Sequence, residues 1–408
     1  MISDKSMNKR SLTGIRPLLL ATALALPLFG AGPALAHDAA MHQGASRPAR
    51  AELATAAAFG PDGQLYAVSK DGGHLQLIRS HDDGNRWSAP IRVNAEPEPI
   101  AADGDSQPRI AFNRDGDLLV SWTKPLPRPY TGEIRLARLP AGAAAFDAPI
   151  TVHRDRAEIT HRFQNILAGP DGRVTAVWID KRDQEAAKAK REPYRGAAIY
   201  AAVSTDGGRS FAPETRVADH SCECCRIALA ADRDGAPVAL WRHVFAPDER
   251  DHAIARLKPD GSPERVDRAT YDRWRVDACP HHGPALAVDE AGTRHATWFN
   301  VKDGEGRVFY GRIGVNTVKG QIPVGGPRAA HADIATAGGV LAIVWKEFDG
   351  EQNRLRGMRS TDGGQHFETF EIAATPGAAD QPRALVKGDK LYAFWRQANE
   401  GFRLYPLP

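Results

Sequence analysis

Six times along the chain a short apolar segment, a tight glycine turn and a second apolar segment run into a tryptophan: "AFNRDGDLLVSW", "AGPDGRVTAVW", "AADRDGAPVALW", "AVDEAGTRHATW", "ATAGGVLAIVW" and "VKGDKLYAFW". The tryptophans are Trp122, Trp178, Trp241, Trp298, Trp345 and Trp395, 47 to 63 residues apart. A seventh copy, "AFGPDGQLYAVSK", lies upstream with Ser69 in the tryptophan position. Asp-Gly favours tight hairpins because both central residues tolerate positive φ. A small antiparallel sheet cannot bury both of its faces alone, so such units must stack around an axis. The period is that of a propeller blade. The chain is therefore expected to be all-β, a β-propeller of six or seven four-stranded antiparallel blades. The last copy is short, and the segment near Arg50 is expected to supply its missing outer strand.

A second pattern, Ser-x-Asp-x-Gly-x-x-aromatic, follows some repeats. It occurs as Ser80, Asp82, Gly84, Trp87; as Ser204, Asp206, Gly208, Phe211; and as Ser360, Asp362, Gly364, Phe367. "LPAGAAAF", ending at Phe146, keeps the spacing without the Ser and Asp. These segments resemble the Asp-box, or BNR, repeats of the sialidase-like β-propeller superfamily, and the resemblance covers nearly all of the chain after its leader. An Asp in a hairpin turn accepts backbone N–H bonds, Gly supplies the left-handed position and the aromatic packs between blades. The Asp box is thus expected to be structural, without a catalytic role. The resemblance implies an active site on the face where the chain enters the inner strands.

The N-terminus reads as an export signal: Lys5, Lys9, Arg10 and Arg16, then "PLLLATALALPLFGAG", then Ala34–Ala36 as an A-x-A cleavage site. Residues 1–36 are expected to be the signal peptide, 37–50 an N-terminal tail and 51–408 a single propeller domain in the periplasm or secreted. Later apolar runs are too short for a membrane-spanning helix. A formal net charge of +3 argues against a nucleic-acid partner.

All four cysteines sit in two short segments beside histidines, "HSCECCRIALA" and "DACPHHGPAL". Gly116, Gly172, Gly235 and Gly292 mark the same turn in successive blades. Eleven residues before each stand Asp105, His161, Cys224 and His281; ten before, Ser106, Arg162, Cys225 and His282; thirteen before, Asp103, Ile159, Cys222 and Cys279. All precede inner strands, so residues far apart in sequence are expected to converge on the channel face. Cys222 and Cys279 are expected to form a disulfide between adjacent blades, with Cys225–Cys279 a rival pairing. Cys224, Cys225, His281, His282 and His161 then form a candidate site for a thiophilic metal, copper before zinc. His37, Met41 and His42 would follow the cleaved leader and add a weaker copper-binding candidate.

Two other functions compete. One is a sialidase-like exo-glycosidase, which the resemblance implies. Arg109, Arg162, Arg226 and Arg383 lie near inner-strand starts, but Arg109–Ile110 lacks the proline of the Arg-Ile-Pro motif and no Tyr–Glu pair is evident. The other is a non-catalytic module whose long polar loops hold a protein or glycan. One of these loops, residues 183–192, reads as charged and solvated rather than helical.

Overall fold

The computed structural model describes residues 53–102, 104–276, 280–302 and 304–408. Each repeat forms one antiparallel sheet, and there are seven: six with four strands and a last with three. In chain order, blades one to seven have the inner strands Ala56–Phe59, Arg109–Phe112, His161–Ala168, Ala228–Ala231, Ala285–Val288, Ala329–Ala337 and Arg383–Lys387. Each inner strand packs on the next, and the seventh packs on the first, closing the ring. The count is seven, not six. Blade seven departs from the four-stranded expectation. It consists of Arg383–Lys387, Lys390–Gln397 and Gly401–Pro406, and the segment near Arg50 lies outside the described residues, as does the leader.

The repeat unit explains the sheet. Its second apolar segment becomes the second strand, sandwiched between neighbouring blades, so it is apolar on both faces; Val174–Asp180 in blade three is buried along its whole length. The six tryptophans are each no more than 1 % exposed. A buried indole N–H needs an acceptor. Trp122 donates to Glu98, Trp178 to Asp180, Trp298 to Asp272, Trp345 to Glu347 and Trp395 to the Asp380 carbonyl. Trp241 is the exception, with no acceptor among the described residues. The register glycines are equivalent in fact: Gly116, Gly172, Gly235 and Gly292 have φ of 83°, 85°, 84° and 85°. Each donates its N–H to the carbonyl three residues back. An L side chain is strained at such φ, which is why the turn keeps Gly.

The three Ser-x-Asp turns are one structure built three times. Ser80, Ser204 and Ser360 each donate a hydroxyl to the Asp two residues on and accept the N–H of the Gly four residues on. The Asp carboxylate accepts the N–H of Arg86, Ser210 or His366. The aromatic then leaves its own blade: Trp87 packs on Phe402 of blade seven, and Phe367 on Tyr310 of blade five.

Side-chain and backbone groups of five blades meet at the ring axis. Asp105, ahead of blade two, accepts the N–H groups of Arg226 (3.2 Å) and Gly283 (2.6 Å), ahead of blades four and five. The Arg226 guanidinium lies 3.4 Å from Asp105 and donates to Gln381, ahead of blade seven, and to the Ala332 carbonyl of blade six. Asp105 is 1 % exposed and Arg226 3 %. Burial alone would raise the Asp105 pKa, but Arg226, with a hydrogen bond from His331, holds it far below the usual carboxylate range.

The charged loop after blade three's second strand corrects the expectation above. Residues Arg182–Lys190 form a helix, α1, closed by Arg191 in the left-handed conformation. Its first turn carries Asp183 and Glu185 and its last Lys188 and Lys190, matching the helix dipole. Ala187 is buried and Tyr200 donates to Asp183, fixing α1 to blade three. Among the described residues no helix is long and apolar enough to cross a membrane.

Candidate metal centre

Blade three's outer strand, Thr215–Ser221, leads directly into the cysteine segment. Ser221 pairs with His243, and Cys222 donates its N–H to the Arg242 carbonyl at 2.9 Å, so the chain is stitched to blade four before it bends. The bend carries Cys222, Cys224 and Cys225 inward and leaves Glu223 outward. Glu223 accepts from Lys181 and from Gln184 of α1, so the helix pins the bend from outside. The inward sulfurs enter the apolar core between blades three and four, among Phe163, Val177, Ile179, Val217 and Trp241.

There the three thiols meet. Cys222 Sγ lies 3.7 Å from Cys224 Sγ and 3.5 Å from Cys225 Sγ, and all three sulfurs fall within 4.8 Å of one another. The residues are 1 %, 5 % and 2 % exposed, and all three are free cysteines. A metal–thiolate bond is about 2.3 Å, so tetrahedral coordination separates two sulfurs by roughly 3.8 Å. The observed spacing therefore suits a shared soft ion without rearrangement of the backbone. Hydrogen bonds from Cys224 and Cys225 hold the Cys222 thiol well below the ordinary value, and the Arg242 charge adds to this. Cys225 is pushed up by the hydrogen bond it makes to Cys222.

The site differs from the one expected. Cys224 and Cys225 come together as ligand candidates, but their third partner is Cys222, which had been assigned to a disulfide. Cys279, its expected partner, lies outside the described residues. Among the described residues no histidine joins the thiol group, and the thiols are buried between blades rather than open to the channel. His161 is buried on the other side of blade three, stacked on His153 at 3.9 Å with Nδ1 bonded to the Gly132 carbonyl. His282 lies flat between Phe299 and His331, at 4.5 and 4.7 Å. His281 is exposed beside Gly104. Equal register thus puts these residues at the same height on different blades, not at one point.

The His153–His161 stack has a consequence for stability. Both His153 nitrogens are occupied, Nε2 accepting the Ile134 N–H and Nδ1 bonding the Asp155 carbonyl. Burial and the neighbouring His161 ring lower its pKa to about 3. The unfolded chain binds a proton there near pH 6.5 while the folded chain stays neutral. The resulting stability is complete above pH 6.5 and is lost as pH falls toward 3, at up to about 1.4 kcal/mol per pH unit. Urea unfolding at pH 7, 6 and 5 should show this slope in the wild type and a shallower one in His153→Gln.

A cleft of about 650 Å³ opens between blades one and two. Its walls include Lys70, Glu98, Arg128, Tyr130 and Arg162, and Pro97, Pro99, Pro125 and Pro129 stiffen it. Tyr130 is 78 % exposed at its rim. Of the four arginines weighed for carboxylate binding, Arg162 lines this cleft, while Arg226 is consumed by the axial hub. Arg109 and Arg383 stand at the starts of their inner strands, close enough for each to feel Asp333 and Arg226.

No family model matches the chain, and no curated protein matches it by sequence. Solved structures do match. An ulvan lyase of polysaccharide lyase family PL25, bound to -[GlcA(1-4)Rha3S]-, superposes with a TM-score of 0.55 at 11% identity, covering 86% of this chain and 91% of that one. The GH93 α-L-arabinofuranosidase of Fusarium graminearum, in complex with arabinobiose, gives 0.50 at 10% identity, covering 72% and 87%. A Hadza microbial sialidase gives 0.49 at 12%, covering 85% and 73%. At these identities the likeness is one of fold: the chain is a β-propeller of the kind found in glycan-processing enzymes. Its thiol group is a separate feature, argued from its own residues.

Proposed function

We propose that this chain is an exported β-propeller that holds a thiophilic metal ion, copper(I) before zinc, on Cys222, Cys224 and Cys225. The observation that carries this is the meeting of three buried sulfurs at metal-ligand spacing in a pocket walled by carbon. Copper(I) is soft, accepts three thiolates and needs no fourth ligand, whereas a structural zinc site takes four. His161, His281 and His282 are not needed as ligands. Export rests on the leader, with its basic residues, apolar core and Ala34–Ala36, and it brings the cysteines into a compartment where thiols are oxidised unless bonded or metallated. Full-length protein expressed with its own leader should carry about one copper per chain, with the three thiols silent to alkylation until the ion is stripped. Metal analysis paired with a thiol count tests this; three reactive thiols in metal-replete protein would refute it.

A second function is favoured by the cleft between blades one and two and by the fold itself: a small ligand or glycan held at the loops, including a sialidase-like exo-glycosidase or a non-catalytic protein- or glycan-binding propeller. Tyr130 offers an aromatic face for a sugar ring, and Lys70 and Arg162 stand in the cleft wall. Against the glycosidase, Arg226 is spent on Asp105, Gln381 and backbone carbonyls. Release of sialic acid from a model sialoside, abolished by Arg162→Ala but kept when the thiols are removed, would establish the enzyme over the metal protein.

A further inference from the structure

Arg242 is a buried cation with no carboxylate beside it among the described residues. It is 1 % exposed, and among the described residues it forms no ion pair. Its guanidinium donates to the carbonyls of Arg250, His282 and Phe299 and to Asn300 Oδ1, lies over the Trp274 ring at 5.2 Å, and has Nε without a partner. The nearest anion by bonding is Asp251, reached only through the Asn300 amide. A guanidinium buried in this way is costly unless a negative charge accompanies it. Arg250 adds a second cation: its Nη1 is 3.9 Å from Cys222 Sγ, and its own carboxylate neighbour, Asp248, is half exposed at 3.9 Å. Arg250 thus sets its guanidinium against the cysteine cluster, whereas the partners of the Arg242 side chain lie largely on the blade-five side.

We infer that Arg250 is a counter-charge of the three-sulfur site and tilts it toward a monovalent ion over a divalent one. This rests on the metal-binding proposal above. Three thiolates around copper(I) carry a net charge of two minus. Around zinc with a water as fourth ligand they carry one minus. Whatever the proton count of the metal-free site, the copper(I) complex is one charge more negative than the zinc complex. Removing a neighbouring cation must therefore cost copper(I) more than zinc. Arg250 acts through the sulfurs and is a positioning residue rather than a ligand.

The test is the ratio of copper(I) to zinc affinity in the reduced full chain, measured anaerobically by competition with chromogenic chelators. Arg250→Met is the main variant, because Arg250 is partly exposed and its loss leaves the core intact. Arg250→Lys is the charge-conserving control, and circular dichroism checks the fold of each. The expected result is a fall in the ratio of about tenfold in Arg250→Met, with Arg250→Lys close to wild type. Arg242→Lys, which keeps the charge and loses the planar fork, should also hold the ratio. An unchanged ratio in Arg250→Met, or an equal fall in Arg250→Lys, would overturn the inference while leaving metal binding standing. Wild-type protein with three reduced thiols that bound neither ion would overturn the metal proposal and this inference together.

Discussion

Asp105→Ala should destabilise the propeller by about 3–5 kcal/mol, the usual cost of leaving one partner of a buried ion pair behind. Asp105 is the acceptor at which the entries to blades two, four and five are joined, and Arg226 extends the join to blades six and seven. Removing the carboxylate strands Arg226 and two backbone N–H groups in a region with little access to water. Equilibrium urea unfolding would show the loss as a lower midpoint with an unchanged slope. Adding Arg226→Met should recover part of the loss, because the orphaned charge goes with it. An Asp105→Ala protein of wild-type stability would mean that the hub does not clamp the ring. The same pair makes the protein acid-sensitive: the depressed Asp105 pKa gives stability that is complete above the unfolded value near 3.9 and erodes as pH falls below it.

The second large effect is on metal. Replacing Cys222, Cys224 and Cys225 together by Ala should abolish stoichiometric copper(I) binding, weakening affinity on the order of 10³-fold or more, because no other close ligand group is present among the described residues. The fold should persist. The ring is held by inner strands, tryptophans and the axial hub, and alanine suits the carbon-walled site better than a buried hydroxyl would. Far-UV circular dichroism should remain that of a β protein with helix confined to α1. Single Cys225→Ala should weaken binding less than the triple change, while His161→Ala and His281→Ala should leave it intact. Isothermal titration of the four variants against one copper(I) buffer separates these outcomes. Loss of binding in His281→Ala would return that residue to the ligand set.

How far the sequence reaches follows from which features are periodic. The tryptophans, the glycine turns and the Ser-x-Asp turns recur at blade spacing, so a ring of six or seven antiparallel sheets and the four equivalent glycines could be read directly, and the structure has seven such sheets. Cys222, Cys224 and Cys225 were correctly placed at a blade entry. What failed was the step from equal register to contact. His161, Cys224 and His281 occupy equivalent positions ahead of blades three, four and five, but they do not meet: His161 is buried on His153, Cys224 lies in the gap between blades three and four, and His281 is exposed beside Gly104. Asp105 was in the same register and was passed over, although an acidic residue where the other blades carry Cys or His was the visible sign of the hub. Cys222 was assigned to a disulfide with Cys279, which lies outside the described residues; its sulfur stands with those of Cys224 and Cys225. Arg242 could not have been found from sequence: it follows Trp241 directly, and its lack of a carboxylate appears only when side chains from blades four and five are assembled. Helix α1 was missed because its charged residues show no apolar face; a single buried alanine and the bond from Tyr200 to Asp183 hold it.

The central claim is that three buried sulfurs form one metal site, and the most direct measurement is X-ray absorption on the reduced full chain loaded anaerobically with one equivalent of copper(I). The account predicts stoichiometric uptake and a first shell of three sulfurs at roughly 2.3 Å, lost in the triple alanine variant. A first shell dominated by nitrogen or oxygen, or no stoichiometric uptake by protein whose three thiols are fully reduced, would contradict it.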